Sequence, residues 1–163
     1  LWNDLTVLSL ILDNFGIQKL KFASPMKKIL IVNGPNLNLL GQREEDIYGK
    51  VSFEAYFNEL QAKFDFEISY YQSNVEGELI NVLQQAKANG FSGVIINAGG
   101  YTHTSVSIRD CIKAIETPVV EVHISNITAR ESFRHESMIS PVCKGCIFGF
   151  GMKSYEMALN FFE

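Results

Sequence analysis

The chain has 163 residues, 47% hydrophobic and 20% charged, a balance that fits one soluble domain with a real core. A formal net charge of −4 gives no basic field of the kind that holds nucleic acid or an anionic membrane, so a small-molecule partner is favoured. The three cysteines, Cys111, Cys143 and Cys146, form no even framework, which favours a reducing cytoplasm over secretion.

The apolar stretch at residues 5–12 is too short to span a bilayer, and Asp4 and Asp13 bracket it. It lacks the basic flank and small-residue cleavage site of a signal peptide. The sequence does not start with Met, and Met26 stands directly before the first strand pattern. Residues 1–25 are therefore expected to be an N-terminal extension, at most one appended helix without a catalytic part. Residues 26–163 are expected to form a single catalytic domain.

Lys28-Ile29-Leu30-Ile31-Val32 reads as a fully buried strand. The loop after it, 33–50, carries three Asn, three acids, Arg43 and Tyr48, and loops this long in compact domains are mostly lids or binding loops. Within it, 33–38 is expected to be a rigid floor and 41–50 a mobile lid. Ser52 is placed to cap a helix running to about residue 63, with Phe53, Phe57 and Leu60 on one face. A second strand is expected at 66–71. A helix at 77–89 follows, with Leu79, Ile80, Leu83 and Ala86 inward and Gly90 as its stop. Val94-Ile95-Ile96 is a third, buried strand that ends at Asn97-Ala98-Gly99-Gly100. A helix at 104–116 stops before Pro118, and a fourth strand spans 119–124. After a polar connection, 125–140, a fifth strand is expected at 147–150 and a closing helix at 154–162.

Strands spaced by helices imply parallel βαβ units with right-handed crossovers. The expected fold is α/β and flavodoxin-like: a five-stranded parallel sheet, order 2-1-3-4-5, with helices on both faces. Ligands of such sheets sit outside the carboxyl ends of the strands at the switch point, here between the first and third. That rule selects the loop at 33–50 and the turn at 97–103.

Asn97, Gly99 and Gly100 read equally well as a tight turn or as a place where a ligand approaches the backbone near a helix start. His103 is either a neighbour of the helix cap or a ligand contact. His123 ends an apolar strand on the same rim, where a buried imidazole needs partners and where a general acid or base would sit. Tyr48 and Arg43 could be a surface ring and a solvated charge. They could also be a base and the cation that makes it one, since lowering a phenol's pKa from near 10 by roughly 2–3 units takes roughly 3–4 kcal/mol, which a close guanidinium can supply. Arg130 and Arg134 could grip a polyol or a carboxylate. Cys143-Lys144-Gly145-Cys146 matches C-x-x-C but leads into a strand rather than a helix and lacks further zinc ligands at suitable spacing, so buried small residues are expected there. No metal and no cofactor is expected.

Four segments together resemble the type II 3-dehydroquinate dehydratases of the shikimate pathway. They are 31–41; Ile47-Tyr48-Gly49; Asn97-Ala98-Gly99-Gly100-Tyr101-Thr102-His103-Thr104-Ser105; and Glu121-Val122-His123-Ile124-Ser125-Asn126. Arg130-Glu131-Ser132-Phe133-Arg134 adds a fifth. The resemblance implies removal of water from 3-dehydroquinate to give 3-dehydroshikimate, by anti elimination through an enolate. It implies Tyr48 as proton acceptor, Arg43 as the cation that activates it and His123 as proton donor. Asn36 would help hold the water that stabilises the enolate oxygen. It further implies that Asn97, Ile124 and Ser125 receive the substrate carboxylate and that His103 and Arg134 hold ring hydroxyls. Asp110 would enter a neighbouring subunit's site, in a homododecamer built from trimers. The alternative from another class is a flavodoxin-like FMN-binding electron carrier, for which Asn33-Gly34-Pro35-Asn36-Leu37 is a poor phosphate loop. A signalling receiver would want acids where Asn33 and Asn97 stand.

Overall fold

The computed structural model describes residues 26–41 and 52–163. The expectations about residues 1–25, Arg43, Tyr48 and a lid fall, apart from Gly41, outside the described residues. Five strands form one sheet: β1 (Lys28–Asn33), β2 (Glu67–Gln72), β3 (Gly93–Asn97), β4 (Val119–His123) and β5 (Gly145–Phe148). Their order is β2-β1-β3-β4-β5, every pair parallel, as the alternation of strand and helix patterns predicts. Four helices accompany them among the described residues: α1 (Phe53–Lys63), α2 (Glu76–Gln85), α3 (Val106–Ala114) and α4 (Lys153–Asn160).

The interior strands are buried on both faces, and apart from Lys28, Asn33, Asn97, Glu121 and His123 they carry no polar side chain, because helices cover each face. Ile29 and Ile31 of β1, with Ile95, Val120 and Val122, pack against Phe53 and Leu60 of α1 and Tyr155 and Leu159 of α4. Leu30 and Val32, with Val94 and Ile96, point the other way, onto Leu79 and Leu83 of α2 and Ile108 and Ile112 of α3. This strict alternation fixes the register, since a slip by one residue would exchange the two cores.

Local chemistry sets the helix ends. Ser52 Oγ accepts from Ala55 N at 3.2 Å, the cap expected for α1. The third helix starts at Val106 rather than 104, because Ser105 Oγ accepts from Ile108 N at 2.8 Å and Gly99–His103 is wound as a 3-10 turn ahead of it. α2 ends at Gln85, earlier than its apolar pattern suggests. The chain then continues in turns to Gly90, whose φ of 80° lets the Phe91 amide donate back to Ala86 O. β5 starts at Gly145, two residues before the expected position. It pairs from Val120 onward and ends where Gly149 adopts a φ of 91°.

The two strands flanking the switch point come unusually close at their carboxyl ends. Gly34 N donates to Asn97 O at 2.7 Å, and a Cβ at position 34 would stand 2.5 Å from the Ala98 carbonyl oxygen. Only glycine fits there. The chain then turns through Asn36, the one non-glycine residue with positive φ (67°) among the described residues, a conformation that asparagine tolerates better than most side chains. A short 3-10 turn, Leu37–Leu39, follows, and buried Leu37 and Leu40 tie this floor to the core.

Candidate active site

A cleft of about 340 Å³ opens at the carboxyl ends of β1, β3 and β4, the position that the strand order dictates. Asn36, Asn97, His103, His123, Ile124, Ser125 and Arg134 line it together, with Arg130, Glu131 and the Gly99-Gly100 turn. Seven of the ten residues singled out from the sequence thus meet in one cavity of small-molecule size. Asp110 does not. It lies exposed on α3, where Arg109 Nη1 donates to it at 2.8 Å.

His123 is buried at the end of β4, and its Nε2 lies 2.7 Å from Glu121 Oε1. A carboxylate can only accept, so Nε2 carries the proton and the tautomer is fixed. Glu121 sits two residues earlier on the same strand face and is fully buried. An isolated carboxylate there would cost several kcal/mol, so it needs partners. Ser137 Oγ donates to both its oxygens, at 2.9 and 3.2 Å, and Ser140 Oγ donates to Oε2. Burial alone would raise the Glu121 pKa. The hydrogen bonds from His123, Ser140 and Ser137 and the field of His123 outweigh it and hold the carboxyl below its ordinary value. An anion held this way fixes the orientation of the imidazole beside it, at the rim where a general acid would sit.

Glu121, which braces a residue of the cleft, is one the motif reading left unassigned. A signal was present: a single acid inside an otherwise apolar strand, at i−2 from a histidine, points to the same face.

His103 faces His123 with ring centroids 6.3 Å apart and planes inclined by 20°. Its Nδ1 lies 2.7 Å from the Glu136 carbonyl oxygen, so Nδ1 carries the proton. Arg134 is oriented by a bond from Nε to Glu131 Oε2 at 2.8 Å and by the Phe133 ring, 4.9 Å from the guanidinium carbon. The Glu131 carboxyl is held below its usual range by its own backbone amide and by the Arg134 guanidinium.

Asn97 is anchored from the opposite sheet face. Asn33 and Asn97 stand side by side in register at the ends of β1 and β3. The buried phenol of Tyr155, from α4, lies between them. Asn97 Nδ2 donates to Tyr155 Oη at 3.0 Å, and Tyr155 Oη donates to Asn33 Oδ1 at 2.8 Å. Asn97 Oδ1 accepts from Gly99 N at 3.2 Å, which shapes the Gly-Gly turn. Burial raises the Tyr155 pKa far above the ordinary phenol value, so this ring is a neutral donor and no base. Tyr101 packs on the α2–α3 core and donates to Asn74 O at 3.1 Å.

The C-x-x-C pair does not act as a unit. Both are only half-buried: Cys143 packs on the α2–α3 core, while Cys146 stands opposite Glu121 in the β4–β5 register. Burial, with the Glu121 charge adding to it, pushes both thiols up to about 12, the reverse of a redox-active cysteine.

The family described as Dehydroquinase class II matches residues 27–163. The 3-dehydroquinate dehydratase of Caldicellulosiruptor bescii is 53% identical over 137 residues, covering 82% of this chain and 94% of its own. That of an Exiguobacterium species is 56% identical over 135 residues, covering 82% and 92%. A crystal structure of type II dehydroquinase from Butyrivibrio crossotus superposes with a TM-score of 0.81 at 46% identity, over 85% of this chain and 98% of that one. The motifs, the sheet order and these relatives converge, and the chain belongs to the class II dehydroquinase family.

Proposed function

We propose that this chain converts 3-dehydroquinate to 3-dehydroshikimate by anti elimination of water, a hydro-lyase step of the shikimate pathway toward aromatic amino acids. The observation that carries the reading is His123, held by buried Glu121 at the rim of a cleft also lined by Asn97, His103, Ser125 and Arg134. Membership of the family and relatives printed as 3-dehydroquinate dehydratase support it. Nothing in the cleft favours the FMN carrier, and the family placement speaks against it.

In this reading Tyr48, activated by Arg43, removes the proton beside the ketone and leaves an enolate. Asn36 helps hold the water that donates to the enolate oxygen. The enolate electrons then expel the β-hydroxyl, which takes a proton from the His123 imidazolium and leaves as water. Tyr48 has gained one proton and His123 has lost one, so a return transfer closes the cycle. Asn97, Ile124 and Ser125 receive the carboxylate, while His103 and Arg134 hold ring hydroxyls. Exposed Asp110 serves a neighbouring subunit in a homododecamer of trimers. Residues 26–163 form the catalytic domain behind an extension at 1–25, and the three free cysteines suit the cytoplasm.

The test is the appearance of the conjugated enone chromophore when the protein is mixed with 3-dehydroquinate. No absorbance change at saturating substrate overturns the assignment.

A further inference from the structure

The second cysteine of the C-x-x-C motif belongs chemically to β4 rather than to its own pair. Cys146 is the register partner of Glu121 across β4 and β5, and Glu121 and His123 share one strand face. Ligand atoms of Glu121, His123 and Cys146 consequently lie within 4.8 Å of one another. We propose that these three side chains form an inhibitory zinc site, in which one carboxylate oxygen, one imidazole nitrogen and one thiolate sulfur capture the ion and silence His123.

The donor set suits zinc, a borderline-soft ion that takes O, N and S ligands at about 2.0–2.3 Å and leaves a fourth position to water. Ligand atoms around such an ion stand roughly 3.5 Å apart, so the His123–Glu121 contact of 2.7 Å has to open to admit it. The ion replaces the proton on His123 Nε2, which passes to Nδ1 of a neutral ring or to solvent from an imidazolium, and the thiol proton leaves to solvent. Its charge also offsets the repulsion that Glu121 exerts on a thiolate. Glu121 keeps its second oxygen for Ser137 and Ser140, so the carboxylate stays hydrogen-bonded. Cys143, three residues earlier, packs against the α2–α3 core and is the natural control.

Loss of turnover rests on the role proposed above for His123, but capture of the ion does not. The experiment therefore reads both, on the full chain. Cobalt(II), as a spectroscopic stand-in for zinc, is titrated into the parent protein and into the Cys143→Ser, Cys146→Ser and Cys146→Ala variants, and zinc is added to the enone assay. The expected result is a thiolate-to-cobalt charge-transfer band in the parent and Cys143→Ser that both Cys146 variants lack. With it comes chelator-reversible loss of turnover in the parent that both Cys146 variants escape, at unchanged basal rates. A band that survives removal of Cys146, no band in the parent, or equal inhibition of parent and Cys146 variants overturns the site. A parent that binds cobalt through Cys146 but never turns over 3-dehydroquinate overturns the function and leaves the site standing.

Discussion

Replacing Glu121 by Gln isolates the contribution of the charge behind His123. The amide keeps the volume and still offers an oxygen to His123 Nε2. Ser137 can go on donating to that oxygen, and the Ser140 hydroxyl, which can accept as well as donate, can rotate to meet a new N–H group. What disappears is the negative charge 2.7 Å from the imidazole nitrogen. A charge-assisted hydrogen bond is worth about 1.5–3 kcal/mol, and at 1.36 kcal/mol per tenfold this predicts a fall in kcat of roughly 10–150-fold. Because Glu121 does not line the cleft, KM should stay within a few-fold. The assay is the steady-state rate of enone formation, with a thermal melt to show that the variant is folded. A folded Glu121→Gln protein with kcat within threefold of the parent would refute the claim that the carboxylate sustains the acid. A loss confined to KM would refute it as well.

Tyr48→Phe is expected to abolish turnover and leave substrate binding intact, checked by calorimetric titration against residual rate; turnover within a few-fold of the parent removes Tyr48 from the mechanism. Tyr155→Phe deletes the donor to Asn33 Oδ1 and the acceptor of Asn97 Nδ2. At about 1–3 kcal/mol for each buried group left unpaired, urea unfolding should show a loss of roughly 2–5 kcal/mol, with a raised KM and a nearly unchanged kcat. Unaltered KM would mean that the network does not orient Asn97. Gly34→Ala drives a methyl onto the Ala98 carbonyl at 2.5 Å and should lower the melting temperature sharply. Gly77→Ala in α2 meets nothing within 4 Å and should be neutral or stabilising. Equal melting temperatures for the two variants would contradict the close approach of β1 and β3.

The sheet was legible because each interior strand is a short, mostly apolar run, broken only in β4 by Glu121, and the strand order then fixes where the cleft lies. His123 and Asn97 were legible for the same reason: both are polar residues ending apolar strands at the carboxyl edge. Asn36 was legible as part of the floor, though not its left-handed backbone. Glu121 and Tyr155 were not assigned, and the cause is physical. A carboxylate inside a strand is destabilising or stabilising according to partners that come from the connection after β4. The Tyr155 phenol meets residues 58 and 122 positions away in sequence. No periodicity within one element carries such information. The early start of β5 has a similar origin, since its first residue is set by pairing with Val120 rather than by its own apolar pattern.

The site is held from both sides of the sheet by different chemistry. On the α1–α4 face, Tyr155 clamps the ends of β1 and β3 through two neutral hydrogen bonds and thereby fixes Asn97, a residue assigned to holding substrate. On the α2–α3 face, a buried anion braces His123, a residue assigned to moving a proton. A neutral network is stiff and indifferent to charge, which suits a group that must keep one position through the reaction. A buried carboxylate can balance a positive charge beside it, which suits the proton-donor role proposed for His123. Strand alternation makes this division possible. Successive residues of a strand face opposite cores, so adjacent strand ends can present one group held by neutral bonds and one braced by a buried carboxylate to the same cleft without sharing supports.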